Sequence, residues 1–206
     1  MARVRQVKEG ELARKAIHYS SSVIPLAYYF FLDRKFMLWA TGILFLVFLI
    51  AEIIRLFFPQ FYKLYLKVFG LMIRPYEKKH YLTGATYVFL GSFLSIFFFP
   101  KAIAVIVLLF LSVGDPSACL IGLSIGGTKL PGTVKTLEGS LAFILSGLLV
   151  TFWIPGVGIG LKILGVLLAA VIEFLPFKGF DDNLMIPLIT GTLMVIILNN
   201  LNHIQI

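Results

Sequence analysis

The sequence predicts an all-α fold, a polytopic membrane bundle of roughly seven spanning helices, and three observations predict it. Of the 206 residues, 59% are apolar, and the mean hydropathy of +0.97 lies beyond what ordinary soluble domains reach. Apolar runs recur at close to the ~20 residues that a bilayer helix needs. No polar stretch between them is long enough to fold alone, so residues 1–206 read as a single transmembrane domain.

The runs are Ala16–Leu32, Phe36–Phe57, Tyr81–Phe99, Ala102–Ile125, Ser140–Ile154, Ile159–Leu175 and Leu184–Leu201. The first follows Arg3, Arg5, Lys8, Arg14 and Lys15 without a small-residue cleavage site, and reads as mature sequence. After the second, Phe61, Leu64, Tyr65, Val68 and Phe69 alternate with Lys63 and Lys67 at helical spacing, which predicts a short helix lying in the interface. The fourth run is interrupted by Gly114, Asp115 and Pro116. Proline removes a helix hydrogen bond and glycine loosens the backbone, so a broken membrane helix is expected there. Gly114, Ala118, Gly122 and Gly126 then recur every four residues, a small-residue face that lets a neighbouring helix come close. A tight turn at Val157–Gly160 precedes the sixth run, and Asp181, Asp182 and Asn183 open the last.

Lysines and arginines set the orientation. With the N-terminus cytoplasmic, most of the 18 basic residues fall inside, and Arg34, Lys35, Lys101 and Lys162 lie outside or near it. Nine of the ten acidic residues then lie on the cytoplasmic side, Asp33 being the exception. The net charge of +8 is spread over short loops beside apolar helices, which argues against nucleic acid and for anionic headgroups and a nucleotide. Cys119 is the only cysteine, which excludes an internal disulfide. Oligomeric state is left open.

Candidate chemistry concentrates between Gly114 and Ala142. A carboxylate at the centre of a membrane helix costs roughly +2.5 to +3.5 kcal/mol on insertion scales, so Asp115 requires compensation, by a bound cation or by a basic residue on a neighbouring helix. Gly126, Gly127, Thr128 and Lys129 supply backbone donors, a hydroxyl and a cation suited to an oxyanion, and Lys135, Thr136 and Glu138 repeat that chemistry. This is no P-loop, because Thr128 precedes Lys129 where the motif needs lysine first. Asp181 and Asp182 are each a metal ligand or a helix cap. Glu173 lies on the same side, either as a site residue or as a snorkelling charge. Arg14, Lys15 and His18 open the first run and are either phosphate or headgroup contacts or a basic belt. His80 shares a helical face with Thr83 and Thr86.

Gly114–Gly139, with Asp115, Gly122, Gly126, Lys129 and the run Lys135, Thr136, Leu137, Glu138, Gly139, resembles the shared signature of CTP-using membrane enzymes, the phosphatidate cytidylyltransferases and the dolichol and phytol kinases. Glu11, Arg14, Lys15 and His18 at one end, and Asp181, Asp182, Asn183, Leu184, Ile186 and Pro187 at the other, are similar to motifs of the polyprenol kinase branch. The longer C-terminal signature of the cytidylyltransferases, with a Lys, Arg pair and a Lys, Asp pair, is missing. The resemblance implies a kinase moving the γ-phosphoryl group of CTP, with Mg²⁺ or another divalent cation, to the hydroxyl of an isoprenoid or related lipid alcohol such as a diacylglycerol. On that implication Asp115 with Asp181 or Asp182 holds the metal. Gly126, Gly127, Thr128, Lys129, Lys135, Thr136 and Glu138 hold the nucleotide, and Arg14, Lys15 and His80 contact lipid or phosphate. Glu173 orients the site, and His18 or Asp115 takes the hydroxyl proton. A cytidylyltransferase attacking the α-phosphorus and a small-anion transporter are the alternatives.

Overall fold

The computed structural model describes residues 2–73, 77, 81–175 and 181–204, with side chains described from 10 to 200 within those ranges. Its described elements are helical: α1 (Ala2–Ser20), α2 (Val23–Phe30), α3 (Arg34–Phe57), α4 (Pro59–Phe69), α5 (Gly84–Phe98), α6 (Lys101–Leu109), a π turn (Phe110–Gly114), α7 (Asp115–Ile125), α8 (Leu137–Thr151), α9 (Ile159–Phe174) and α10 (Asp182–Ile204).

At the centre stands α6, where every residue from Ile103 to Leu111 is buried. Helices α2, α5, α8, α9 and α10 surround it, and α3 packs outside on α5. The outer helices bury one stripe and expose apolar residues on the other. Along α8 the buried residues Gly139, Phe143, Gly147 and Thr151 recur every four positions, while Leu145 and Leu149 on the opposite side are 67% and 72% exposed. Leucines left so open fit a lipid surrounding, not water. Contacts between helices use small residues: a Cβ at Gly147 would lie 2.7 Å from Val166, and one at Gly139 would lie 2.8 Å from the Ala118 carbonyl oxygen. The glycine face expected on α7 thus meets α8, with Gly122 and Gly126 against Thr136. At the far end, buried Lys162 donates to the carbonyls of Phe152 (3.0 Å) and Ile154 (2.5 Å), closing the exit of α8.

Two expectations are corrected. The first run is no single helix: α1 stops at Ser20 and α2 restarts at Val23. Pro25 has no N–H to offer the Ser21 carbonyl, and the Ser21 hydroxyl bonds the His18 carbonyl at 2.6 Å, so the chain turns there. The expected break at Gly114–Pro116 is a π turn within a continuous helix, Lys101–Ile125. The Asp115 N–H donates to the Phe110 carbonyl, five residues back, and this wider turn accommodates a proline that an α-helix would reject. Of the expected spans, three helices among the described residues suffice by length and composition to cross a membrane: Arg34–Phe57, Lys101–Ile125 and Asp182–Asn200. Gly84–Phe98 and Leu137–Thr151 are apolar but shorter. The short helix expected after α3 is present as α4, with none of its residues buried.

Candidate functional site

The site gathers at one end of the bundle from five elements. Helix α1 carries Glu11, Arg14, Lys15 and His18 at spacings of three and four, one helical face, and packs against α7 and the π turn. The π turn delivers Asp115 to that face. Its Oδ2 accepts a hydrogen bond from Lys15 Nζ at 2.5 Å, and His18 Nδ1 stands 3.3 Å from the same oxygen without hydrogen-bond geometry. Asp115, Lys15 and His18 are all buried. Beside them the Tyr19 and Ser117 hydroxyls pair at 2.7 Å, fixing α1 on α7.

The link from α7 to α8 folds back on itself. Leu137 N–H donates to the Thr128 carbonyl and Leu130 N–H to the Lys135 carbonyl, each at 2.9 Å, with Lys129 paired antiparallel to Thr136. Gly132, at φ 74°, makes the reversal, a conformation that glycine adopts without strain. Thr136 then caps α8 by accepting the Gly139 N–H at 3.2 Å. This fold-back aims Lys135 at the junction of α9 and α10. Its Nζ lies 2.9 Å from Glu173 Oε1 and 3.6 Å from Asp182 Oδ2, and it also donates to the Glu173 carbonyl.

These side chains line a cavity of about 380 Å³ whose wall holds the carboxylates of Glu11, Asp115, Glu173 and Asp182 and the cations Arg14, Lys15 and Lys135. Small residues, Ala118, Gly122 and Gly139, line it on the α7–α8 side. Arg14 is paired with Glu11. The donor set is hard oxygen with interleaved cations, the chemistry of a phosphate chain and an oxygen-loving metal. Among the described residues no three His, Cys, Asp or Glu side chains are grouped closely enough to hold a metal by themselves. Mg²⁺ does not ask for that, since it takes one or two carboxylates and fills its shell with water and phosphate oxygens. The residues present therefore fit it.

The structure brings together Asp115, His18, Arg14, Lys15, Lys135, Thr136, Glu173 and Asp182. It does not bring Gly126, Gly127, Thr128, Lys129 or Glu138 to the cavity wall. The Thr128 N–H is taken by the Glu138 carboxylate at 3.0 and 3.3 Å, Lys129 is exposed, and Gly126 serves close packing on Thr136. Asp181 is not on the wall either; its Oδ1 accepts the Asn183 N–H at 2.9 Å at the start of α10. His80 lies outside the described residues.

Sequence reasoning passed over a buried pair. Glu52 and Arg55 in α3 are 0% and 1% exposed, 2.5 Å apart. Glu52 accepts from Thr83 Oγ1 at 2.6 Å and Tyr65 OH at 3.1 Å, and Arg55 donates to the carbonyls of Glu77 and Tyr81. The signal was available: opposite charges three apart inside a membrane-length apolar run must face each other or the protein interior.

Over 215 residues the chain is 29% identical to CTP-dependent diacylglycerol kinase 1 of Saccharomyces cerevisiae, a match covering 91% of this chain and 73% of that protein. The protein of the same name from Schizosaccharomyces pombe is 27% identical over 224 residues, 93% of this chain and 95% of its own. An uncharacterized protein of Rickettsia prowazekii is 30% identical over 186 residues, 86% of this chain and 90% of its own. No family model and no solved structure matches the chain. By these matches the chain belongs to one family with the Rickettsia protein and is a distant homologue of the CTP-dependent diacylglycerol kinase 1 proteins.

Proposed function

We propose that the protein is an integral membrane lipid kinase that transfers the γ-phosphoryl group of CTP to the hydroxyl of a lipid alcohol. Diacylglycerol, the acceptor in the relatives' name, is favoured over an isoprenoid alcohol. The observation that carries this reading is the cavity where Arg14, Lys15 and Lys135 interleave with Asp115, Glu173 and Asp182 at the end of an apolar bundle. A water-soluble polyphosphate and a membrane-borne hydroxyl meet at such a place.

Phosphoryl transfer asks the protein for in-line positioning and charge neutralisation more than for covalent help. Asp115 and Asp182 would hold a divalent cation, which when bound draws negative charge from the phosphate oxygens. Lys15 and Lys135 stand beside those carboxylates and bind the phosphate chain. Glu173 orients Lys135, which it grips through both its carboxylate and its carbonyl. Thr136 holds the start of α8, and with it Gly139, against α7. The acceptor oxygen bonds to the γ-phosphorus as the bond to the bridging oxygen breaks. CDP leaves with that electron pair, and the hydroxyl proton passes to solvent.

The experiment supplies purified protein with labelled CTP or ATP and a panel of lipid alcohols and lipid phosphates, resolving CDP from pyrophosphate. CDP with a phosphorylated alcohol, and CTP turned over in preference to ATP, is the expected result. Pyrophosphate with a CDP-lipid would make the protein a cytidylyltransferase, and equal use of both nucleotides would remove the CTP assignment.

A further inference from the structure

A second cavity, of about 350 Å³, lies between α1, α3, α4 and α5. Its wall is built mainly of apolar side chains, among them Val47, Ala51, Val88 and Phe89. Arg14 lines both cavities. His18 lines the apolar one while its Nδ1 faces Asp115 on the wall of the polar one. The two spaces therefore adjoin across one face of α1.

Most polar groups in the apolar cavity already have their protons committed. Ser21 donates to the His18 carbonyl at 2.6 Å, Arg14 to Glu11, and Thr83 and Tyr65 to Glu52. Burial and the neighbouring Glu52 carboxylate push the Tyr65 phenol up to about 12, so it keeps its proton for that bond. Glu77 accepts the Gly84 N–H at 3.2 Å. His18, 4% exposed, stands with Arg14 at the passage to the other cavity. An apolar sleeve whose polar end carries the His18 ring beside Arg14 matches an alkyl chain that ends in a hydroxyl.

We infer that this cavity holds the hydrocarbon chain of the acceptor alcohol, with its hydroxyl at His18, facing Asp115 and the phosphate chain from the α1 side. The inference rests on the reading of the polar cavity as a phosphoryl-transfer site, and it assigns the acceptor a place between α3 and α5 that no relative's name describes.

Photolabelling tests it without needing turnover. The protein in phosphatidylcholine vesicles is irradiated with a diacylglycerol or, separately, a prenol carrying a diazirine on the chain, and labelled peptides are mapped. Label within 47–51 and 85–89, removed by excess unlabelled alcohol, is expected for at least one probe. The probe that labels identifies the source of the hydroxyl. Ala51→Phe should abolish that label and raise the KM for the acceptor by about tenfold or more while leaving the KM for CTP in place. Label spread over the outward α8 residues Leu145 and Leu149 instead, or unchanged cavity labelling and acceptor KM in the variant, would overturn the assignment. Should Ala51→Phe fail to fold, the wild-type labelling map still decides. Cavity labelling without turnover of any nucleotide would leave the lipid site standing and remove the kinase reading.

Discussion

Asp115 has two partners in the structure, Lys15 at 2.5 Å and His18 at 3.3 Å. A buried ion pair is costly to break, because the stranded charge remains in the interior, at about 3 to 5 kcal/mol. Asp115→Asn should therefore lower the melting temperature and also cut lipid kinase turnover by at least about a hundredfold, the loss expected from removing a stabiliser at a charge-transfer centre. Lys15→Met combined with Asp115→Leu separates the two effects: stability should return, since an apolar pair of similar volume replaces the ion pair, and turnover should not. Recovery of turnover in the double variant would make Asp115 a purely structural residue. The need to compensate a carboxylate in this run was readable from composition. The identity of the partner was not, because Lys15 is 100 positions away and nothing local distinguishes it from the other basic residues preceding the first run.

At the scale of the helix, the π turn decides how Asp115 is aimed. Each residue of an α-helix rotates about 100° around the axis, so the extra residue in Phe110–Gly114 sets which way α7 begins relative to α6. Pro116→Ala restores an N–H and removes the ring that favours the widened turn. The expected outcome is an equal or higher melting temperature with turnover down by about tenfold or more; unchanged turnover would mean that the proline has no part in placing the carboxylate. Glycine and proline side by side announced an irregularity at this point. Whether the chain breaks or absorbs one extra residue depends on what fills the space, here the Phe143 ring 3.1 Å from where a Gly114 Cβ would stand, and that contact is tertiary. The same limit hid the turn at Ser21 and Ser22, the last two of three consecutive serines in a largely apolar run. In contrast α3 and α9 were legible almost to the residue, since long apolar runs with charged or glycine-rich flanks leave one interpretation.

For the whole molecule, charged groups divide between two ends. Glu52 and Glu173 lie near the C-terminal ends of α3 and α9 and Asp115 in the C-terminal half of the continuous helix Lys101–Ile125, whereas Arg34, Lys101 and Lys162 lie in the first turns of α3, α6 and α9. We propose that the site end is cytoplasmic, on the bias of lysine and arginine. Val134 is 90% exposed in the link between α7 and α8, so Val134→Cys in a Cys119→Ala background should react with an impermeant maleimide only in inverted vesicles. Labelling in intact cells would reverse the orientation.

The mixed wall of the polar cavity also governs the order in which ligands arrive. Among the described residues four carboxylates face three cations there, leaving a single net negative charge. Inside the cavity a bare nucleotide, itself a polyanion, finds both lysines already engaged, Lys15 with Asp115 and Lys135 with Glu173. A divalent ion held by Asp115 and Asp182 would compete with the lysines for those carboxylates and leave Lys15 and Lys135 free for phosphate oxygens. Nucleotide association should thus be conditional on the ion. Calorimetric titration with CTP should show binding in Mg²⁺ and none in EDTA, and equal affinity in both would show that the cations alone recruit the nucleotide. On this reading the site would stay closed to free triphosphates by its own pairing and would admit the metal complex by exchanging partners instead of accumulating charge.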